Sequence, residues 1–424
     1  MGLLYKVLRV VTRGVIRGYY KKIYINGENN IPTDAPVLLA VNHPSSFTEP
    51  CVLATHLKRE LHFLIRGDVT NKHNEWFFRK TNQLPIYRFR DGFSNMRQNE
   101  KQFSYCFDLL AKKGCITIFC EGSTKHIKRT RPVQKGTARI AFGAMENRKL
   151  DEIWIVPIGV NFESSPRPRS VITVQVGKPI SAKKYYGDYL ENDRKALNSL
   201  TAEIEDGLRK QMVNIRQDER LKTGDDILLY LSNDMKMNSI PIAVREDYEY
   251  FHQMNRAANE LSELDQAAFR EIQSLNSEYK NKMGNISDKA FVPVSKSVFH
   301  FFFMTLGSIL ACIGGLFLWL PQKLTFTLQD KLNKREEFMS GFRMAGFLIF
   351  VPLFMIIWMI IFAIWWGKWV LLFLLLLPAL SYFAVIWYDH WKVLMNRYKF
   401  KKLNKSSQEE LISLREEIIK TFKY

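Results

Sequence analysis

Short apolar runs recur along the first half of the chain: PVLLAVN (36–42), LHFLIRG (61–67), CITIFCEG (115–122), IWIVPIGVNF (153–162) and VITVQVG (171–177). Their apolar residues stand at consecutive rather than alternate positions, the pattern of strands covered on both faces. Segments 73–82, 94–112 and 134–148 lie between them and carry helical spacing. This alternation predicts an α/β domain with a largely buried sheet and helices around it. From 181 to about 235 the chain reads as polar helix. Residues 245–283 then place Leu261, Leu264, Ala268, Ile272 and Leu275 on one face, which predicts a single long helical arm packed on the domain.

Three apolar segments follow, 298–320, 344–366 and 369–388, the last two without a charged residue. A bilayer core takes about 20 residues of helix. Gly367-Lys368 alone separates the second and third, so a tight helical hairpin is expected. Lys323, Lys331, Lys334, Arg335 and Arg343 precede it, in a loop over 321–343. Lys392, Arg397, Lys399, Lys401 and Lys402 follow it. The positive-inside rule puts both ends in the cytoplasm. Gly307-Ser308 and Gly314-Gly315 interrupt the first segment. A bent, re-entrant or interfacial element there keeps the upstream domain on the same side as the loop.

At the start of the chain, Leu4, Val7, Leu8, Val11 and Val15 recur at helical spacing among Lys6, Arg9, Arg13, Arg17, Lys21 and Lys22, with no acid. This reads as a basic helix on a membrane surface, the alternative being an amphipathic helix packed on its own domain. The organisation expected is a basic surface helix over 1–24, the α/β domain over 25–200 and a helical region over 201–297. Membrane-embedded segments over 298–388 and a basic cytoplasmic tail over 389–424 complete it.

Lysine and arginine number 61 against 42 acids, a net charge of +19, which implies an anionic partner. No zinc-finger, homeodomain or RNP pattern accompanies the charge, and three apolar segments do. Membrane lipid is therefore the partner expected, and nucleic acid is not. The five cysteines (51, 106, 115, 120 and 312) are scattered, with no C-x-x-C and no His at zinc spacing. They read as reduced, mostly buried thiols, and no metal site is expected.

Candidate chemistry gathers at the ends of the expected strands, where open α/β sheets bind ligands. VNHPSSFTEP (41–50) puts His43 just past one strand, with Glu49 six positions on. Glu121 and Gly122 close another, followed by Ser123 and the basic run KHIKRTRPVQKG (125–136), which holds Lys125, Lys128, Arg129, Arg131 and Lys135. LPIYRFRDG (84–92) adds Arg88 and Arg90. Taken alone, His43 also reads as a structural histidine, Arg88 and Arg90 as a solvated basic face, and the 125–135 run as a contact for anionic lipid.

The order N-H-x-x-x-x-x-E, L-P-I-x-R, F-x-E-G and V-P-I resembles the glycerophosphate acyltransferase superfamily over roughly residues 25–180. The commoner spacing there has four residues before an Asp. Five, as here, resembles the subset of glycerol-3-phosphate acyltransferases with hydrophobic C-terminal extensions. The Thr-Arg that often follows Glu-Gly is Ser123-Thr124 in this chain, which leaves Arg131 or Arg129 as the candidate arginine for phosphate. The resemblance implies an acyltransferase-type sheet with surrounding helices, then a helical arm and C-terminal membrane helices.

It further implies a membrane-bound enzyme facing the cytoplasm. A fatty acyl group would pass from acyl-CoA or acyl carrier protein to glycerol 3-phosphate or 1-acylglycerol 3-phosphate, in phosphatidic acid synthesis. His43 would take the proton of the acceptor hydroxyl, and Glu49 would fix the imidazole tautomer. Arg88, Arg129, Arg131 and Lys135, with Gly122 and Ser123, would hold the acceptor phosphate, and Glu121 would position its hydroxyl. No cofactor or metal is implied beyond the acyl donor as co-substrate, and the oligomeric state is left open. Glu49 in place of Asp, and Thr124 in place of Arg, keep a second reading open: a membrane scaffold of the same fold without turnover. An acyltransferase acting on a different lipid acceptor is a third.

Overall fold

The computed structural model describes residues 2–87, 93–235, 243–295, 297–333, 335–367 and 370–423. The five apolar runs all become strands, and four other segments add to them. Those strands are β1 (Lys22–Asn26), β2 (Val37–Val41), β3 (His62–Arg66), β4 (Gln83–Ile86), β5 (Cys115–Phe119), β6 (Trp154–Phe162), β7 (Val171–Val176), β8 (Ile180–Ser181) and β9 (Ala243–Arg245). They make one sheet in the order β4-β3-β5-β2-β6-β7-β1-β9, with β8 beside β6. β2 is buried along its whole length. It runs parallel to β5 and β6, with Val41 opposite Phe119 on one side and Ile158 on the other, so three carboxyl ends lie together.

Direction reverses where β6 meets β7 and β8. Pro157 stands on β6 between Ile155, which pairs with β8, and Ile158, which pairs with β7. Its carbonyl accepts the Gly177 N–H (2.9 Å), so its nitrogen faces the same edge. The missing N–H thus falls at the changeover of partners, where a central strand tolerates a proline.

Helices α1 (Leu3–Tyr19), α2 (Thr48–His56), α3 (Glu75–Lys80), α4 (Phe93–Ala111), α5 (Gly136–Arg148), α6 (Tyr186–Glu191) and α7 (Asp193–Arg209) surround the sheet. Leu38, Ala40, Ile116 and Ile155 on one face pack with Phe142 of α5 and with Leu200 and Ile204 of α7. Leu39, Val41, Val156 and Ile158 on the other pack with Ile16 of α1 and with Val52 and Leu53 of α2. The helix expected over 1–24 therefore ends at Tyr19, and Lys22 already belongs to the sheet. α1 buries Tyr5, Ile16 and Tyr19 and leaves Leu3, Val7, Val10 and Val11 exposed.

The single arm expected over 245–283 is two helices, α9 (Glu249–Glu263) and α10 (Gln266–Met283), following α8 (Leu221–Asp234). Asp265 accepts the Ala268 N–H and caps α10, which stops the helical pattern from running through. β9 adds a strand inside the region read as wholly helical, pairing Ala243 with Ile23 and Arg245 with Ile25.

α11 (Val298–Thr305), α12 (Gly307–Leu332), α13 (Glu336–Trp366), α14 (Val370–Lys401) and α15 (Lys405–Lys420) complete the chain. Gly307–Leu332 and Glu336–Ile364 are long and apolar enough to cross a membrane. Most of the loop expected over 321–343 is helix, divided between α12 and α13. The tail expected over 389–424 is likewise ordered. α14 runs to Lys401, and α15 places Leu411, Leu414, Ile418 and Ile419 in a core shared with Leu228, Phe251 and Ile272. Buried Arg415 joins that core through Asp288 and Asp234, each at 2.7 Å.

α12 lies antiparallel to α14 along its first half: Gly307 faces Phe383 and Trp387, and Gly314 lies against Leu380 and Ser381. Along its second half it lies antiparallel to α13. Phe317 meets Trp358, Gly346 lies against Thr325, and Arg343 Nε donates to Gln329 Oε1 (2.9 Å). The near ends of both partner helices are tied to the α/β domain, through Asp389 to Arg169 (2.6 Å) and through Arg343 to the Pro166 carbonyl (2.5 Å). At about 1.5 Å of rise per residue, α12 packs on α14 over its first turns and on α13 over its last. Pro321 lies inside it, where a missing N–H permits a bend.

Candidate active site

β2 ends at Val41, and the next residue anchors the turn that carries the histidine. Buried Asn42 donates from Nδ2 to the Val160 carbonyl (3.0 Å) and accepts the Val160 N–H at Oδ1 (2.7 Å), clamping the end of β2 to β6. His43 is then held by its backbone from the end of β5. Its N–H donates to Glu121 Oε2 (3.0 Å), and its carbonyl accepts the Lys125 N–H (3.2 Å). Its ring stacks on Phe119 with centroids 4.3 Å apart. With backbone and ring both fixed, Nδ1 points at Glu49 Oε1, 3.5 Å away. The Glu49 side chain is fully buried, and that of His43 is 17% exposed.

Glu49 lies in the first turn of α2, where the exposed N–H groups and the helix dipole favour a carboxylate. The Ser45 N–H also donates to Glu49 Oε1. Thr48 N–H donates in turn to the Ser45 carbonyl (2.9 Å), so the five-residue spacer forms a closed turn that aims the longer side chain back at the imidazole.

The opposite end of α2 is capped by arginines from distant segments. Arg13 Nε donates to the Thr55 carbonyl (2.8 Å), Arg245 Nη2 to the His56 carbonyl (2.7 Å), and Arg9 Nη2 to the Leu57 carbonyl. Positive charge on these last carbonyls complements the helix dipole. Two of the arginines that were expected to face lipid thus hold the helix that carries Glu49. Burial, followed by the charges of Arg17, Arg13 and Arg9, pushes the neighbouring His56 imidazole down to about 4.

Glu121 follows β5 and serves both sides of the site. Oε2 accepts the His43 N–H and an ion pair from Arg131 Nη2 (2.5 Å), and Oε1 accepts the Arg131 N–H (3.2 Å). Arg131 Nη1 also donates to Ser123 Oγ (2.7 Å). Gly122 between them has φ +69°, a left-handed conformation that Gly adopts without a Cβ penalty. His43, Glu49, Glu121, Gly122, Ser123 and Arg131 therefore come together. The Arg131 guanidinium is engaged by Glu121 and Ser123, and Glu121 holds the histidine backbone.

Arg129 is turned to Asp218 (2.7 Å) and Lys128 to Asp225. Lys135 precedes the first turn of α5. Arg88, with Arg90, lies outside the described residues. Lys125, exposed beside the His43 carbonyl, joins the site without having been singled out from the basic run. Asn42 and Phe119 were also missed. Asn42 could have been noticed as the polar residue directly before His43, whereas the stacking of Phe119 depends on the pairing of β2 with β5.

The family model described as Acyltransferase matches residues 22–161. Glycerol-3-phosphate O-acyltransferase 2 of Saccharomyces cerevisiae is 30% identical over 111 residues, covering 26% of this chain and 15% of that protein. Glycerol-3-phosphate O-acyltransferase 1 of the same organism is 26% identical over 215 residues, covering 47% of this chain and 27% of that protein. The chain thus spans less than a third of the length of either relative. Among solved structures, the 1-acyl-sn-glycerophosphate acyltransferase of Thermotoga maritima is 16% identical, with a TM-score of 0.32 over 47% of this chain and 79% of its own.

Proposed function

We propose that the chain transfers a fatty acyl group from acyl-CoA or acyl carrier protein to the hydroxyl of a glycerol phosphate, a reading supported by the match of residues 22–161 to the family model described as Acyltransferase. His43 Nε2 takes the proton of the acceptor hydroxyl as its oxygen attacks the thioester carbonyl. The tetrahedral intermediate then collapses, the C–S bond breaks, and the proton leaves with the thiolate. Glu49 holds the tautomer with the proton on Nδ1 and stabilises the imidazolium. No acyl-enzyme is required, because the acceptor oxygen is itself the nucleophile.

Arg131, Lys125 and Lys135 supply positive charge for the acceptor phosphate, and Glu121 keeps Arg131 and the histidine backbone in fixed relation. α12, α13 and α14 lie in the bilayer with the domain on its cytoplasmic side, so a lipid product forms at the membrane surface. Glycerol 3-phosphate is the first acceptor to try, in line with the names of the two yeast relatives.

The observation that carries this reading is the pair His43 and Glu49, 3.5 Å apart at the carboxyl end of the central strand. The test is an acyl-transfer assay on the purified chain with acyl-CoA and, in parallel, glycerol 3-phosphate and 1-acylglycerol 3-phosphate. A labelled lysolipid from the first acceptor, or phosphatidic acid from the second, supports it. No product from either acceptor with acyl-CoA or acyl carrier protein donors contradicts it.

A further inference from the structure

Ser340 lies on α13, far along the chain from the segment matched by the acyltransferase family, yet it meets the loop that carries His43 and Glu49. Its Oγ is 2.7 Å from Ser45 Oγ, 2.9 Å from Thr48 Oγ1 and 2.9 Å from Ser165 Oγ. All four residues are fully buried. A serine hydroxyl donates one hydrogen bond and accepts two, so three partners satisfy it completely.

Two of the partners bear directly on Glu49. Ser45 supplies the N–H that Glu49 Oε1 accepts, and Thr48 precedes Glu49 at the start of α2. The third, Ser165, follows the carboxyl end of β6. The approach of α13 is close at this point. A Cβ on Gly341 would lie 3.0 Å from Phe47 Cβ, and Met344 is buried in the same core as Val52 and Leu53.

We propose that Ser340 is a positioning residue: through Ser45 and Thr48 it fixes the turn that aims Glu49 at His43, so the site is completed by the helix that continues into the membrane-length segment. The proposal rests on the reading of His43 and Glu49 as the reacting pair. Cutting three hydrogen bonds inside a buried network strands the Ser165 hydroxyl, leaves Ser45 Oγ and Thr48 Oγ1 with only each other (3.2 Å), and lets the turn relax. A shift of about 1 Å away from the reacting atoms can cost on the order of 100-fold in rate. Acceptor and donor binding do not pass through this hydroxyl, so the loss belongs in kcat.

Threonine and valine have the same shape and differ in the hydroxyl, so S340T and S340V share any packing cost and their difference isolates the hydrogen bonds. S340A removes the hydroxyl without adding volume and covers the case in which both larger side chains unfold the protein. The experiment measures kcat, the KM of each substrate and the melting temperature of full-length S340T, S340V and S340A, with His43→Ala as reference. S340V is expected to fall about 10- to 100-fold below S340T in kcat. S340A is expected to fall in the same direction from wild type, and every KM to stay within about twofold. Equal kcat in S340T and S340V, or wild-type kcat in S340A, overturns the positioning role, as does a loss confined to KM. If His43→Ala turns over at the wild-type rate, the catalytic reading itself fails, and this proposal fails with it.

Discussion

Glu49 Oε1 stands 3.5 Å from His43 Nδ1 and accepts the Ser45 N–H with the same oxygen. One carboxylate oxygen therefore accepts from the turn and faces the ring. Glu49→Gln keeps the shape, but its amide can donate where the imidazole must donate, and it carries no charge to balance an imidazolium. It is expected to lower kcat by roughly 10²- to 10⁴-fold with the acceptor KM nearly unchanged. Glu49→Asp withdraws the carboxylate from a turn built for the longer side chain and is expected to lose at least about tenfold. Steady-state kinetics on both variants decide the matter. Gln at the level of Glu shows that the carboxylate does not serve His43.

Arg131 pairs with Glu121, and Glu121 holds the His43 N–H. Arg131→Ala leaves a buried carboxylate without its cation, a change that costs about 3–5 kcal/mol in comparable sites. Both a lower melting temperature and a lower kcat are expected. Arg131→Lys restores the charge without the planar fork and should recover only part of either. A rise in acceptor KM alone, at full kcat and full stability, would leave Arg131 with the phosphate and no part in holding Glu121 and the histidine turn together.

His56 is a pH-dependent weak point under α2. Burial and three arginines push its imidazole down to about 4, against 6.5 for a free one. A base whose folded pKa is depressed binds more protons when unfolded between those values, so stability rises with pH across that window. Its contribution is complete above pH 6.5, falls as the pH drops, and is lost near pH 4, on the order of 3 kcal/mol in all. Thermal melts from pH 7 to pH 4 should show this slope, and His56→Gln should flatten it. An unchanged slope in the variant places the acid sensitivity elsewhere.

The helix beside each end of α12 is tied to the α/β domain, α14 through Asp389 and α13 through Arg343, so both ends of α12 are expected on the domain side of the bilayer. Single cysteines placed at Asn333 and Asn404, with Cys312 replaced, should react with an impermeant reagent from the same side as a cysteine on the α/β domain. A cysteine at Gly367 should react from the opposite side. Labelling of position 333 from the side opposite the domain means that α12 crosses.

Much of the fold could be read from local pattern. β2, β5 and β6 are apolar runs that no surface helix tolerates, and His43 and Glu49 are close because only a turn separates them. β9 has three residues, too few to show a period, and owes its existence to pairing with Ile23, Tyr24 and Ile25. The break at Leu264 hung on the Asp265 cap, a single residue within a convincing helical stripe. The spacing of Leu411, Leu414, Ile418 and Ile419 was visible, but the basic residues before it made the segment look like a free tail. The roles of Arg9, Arg13, Arg131 and Ser340 were not legible. Each bonds a backbone carbonyl or side chain that only the tertiary fold brings near.

The most direct test replaces the histidine. In the purified full-length chain supplied with acyl-CoA and glycerol 3-phosphate, His43→Ala should reduce the rate of acyl transfer by roughly 10²- to 10⁴-fold. The side chain is partly exposed and contributes little packing beyond the Phe119 stack, so the melting temperature should stay close to that of the wild type. Turnover near the wild-type rate in a folded His43→Ala protein contradicts the assignment of His43 as the base that takes the acceptor proton.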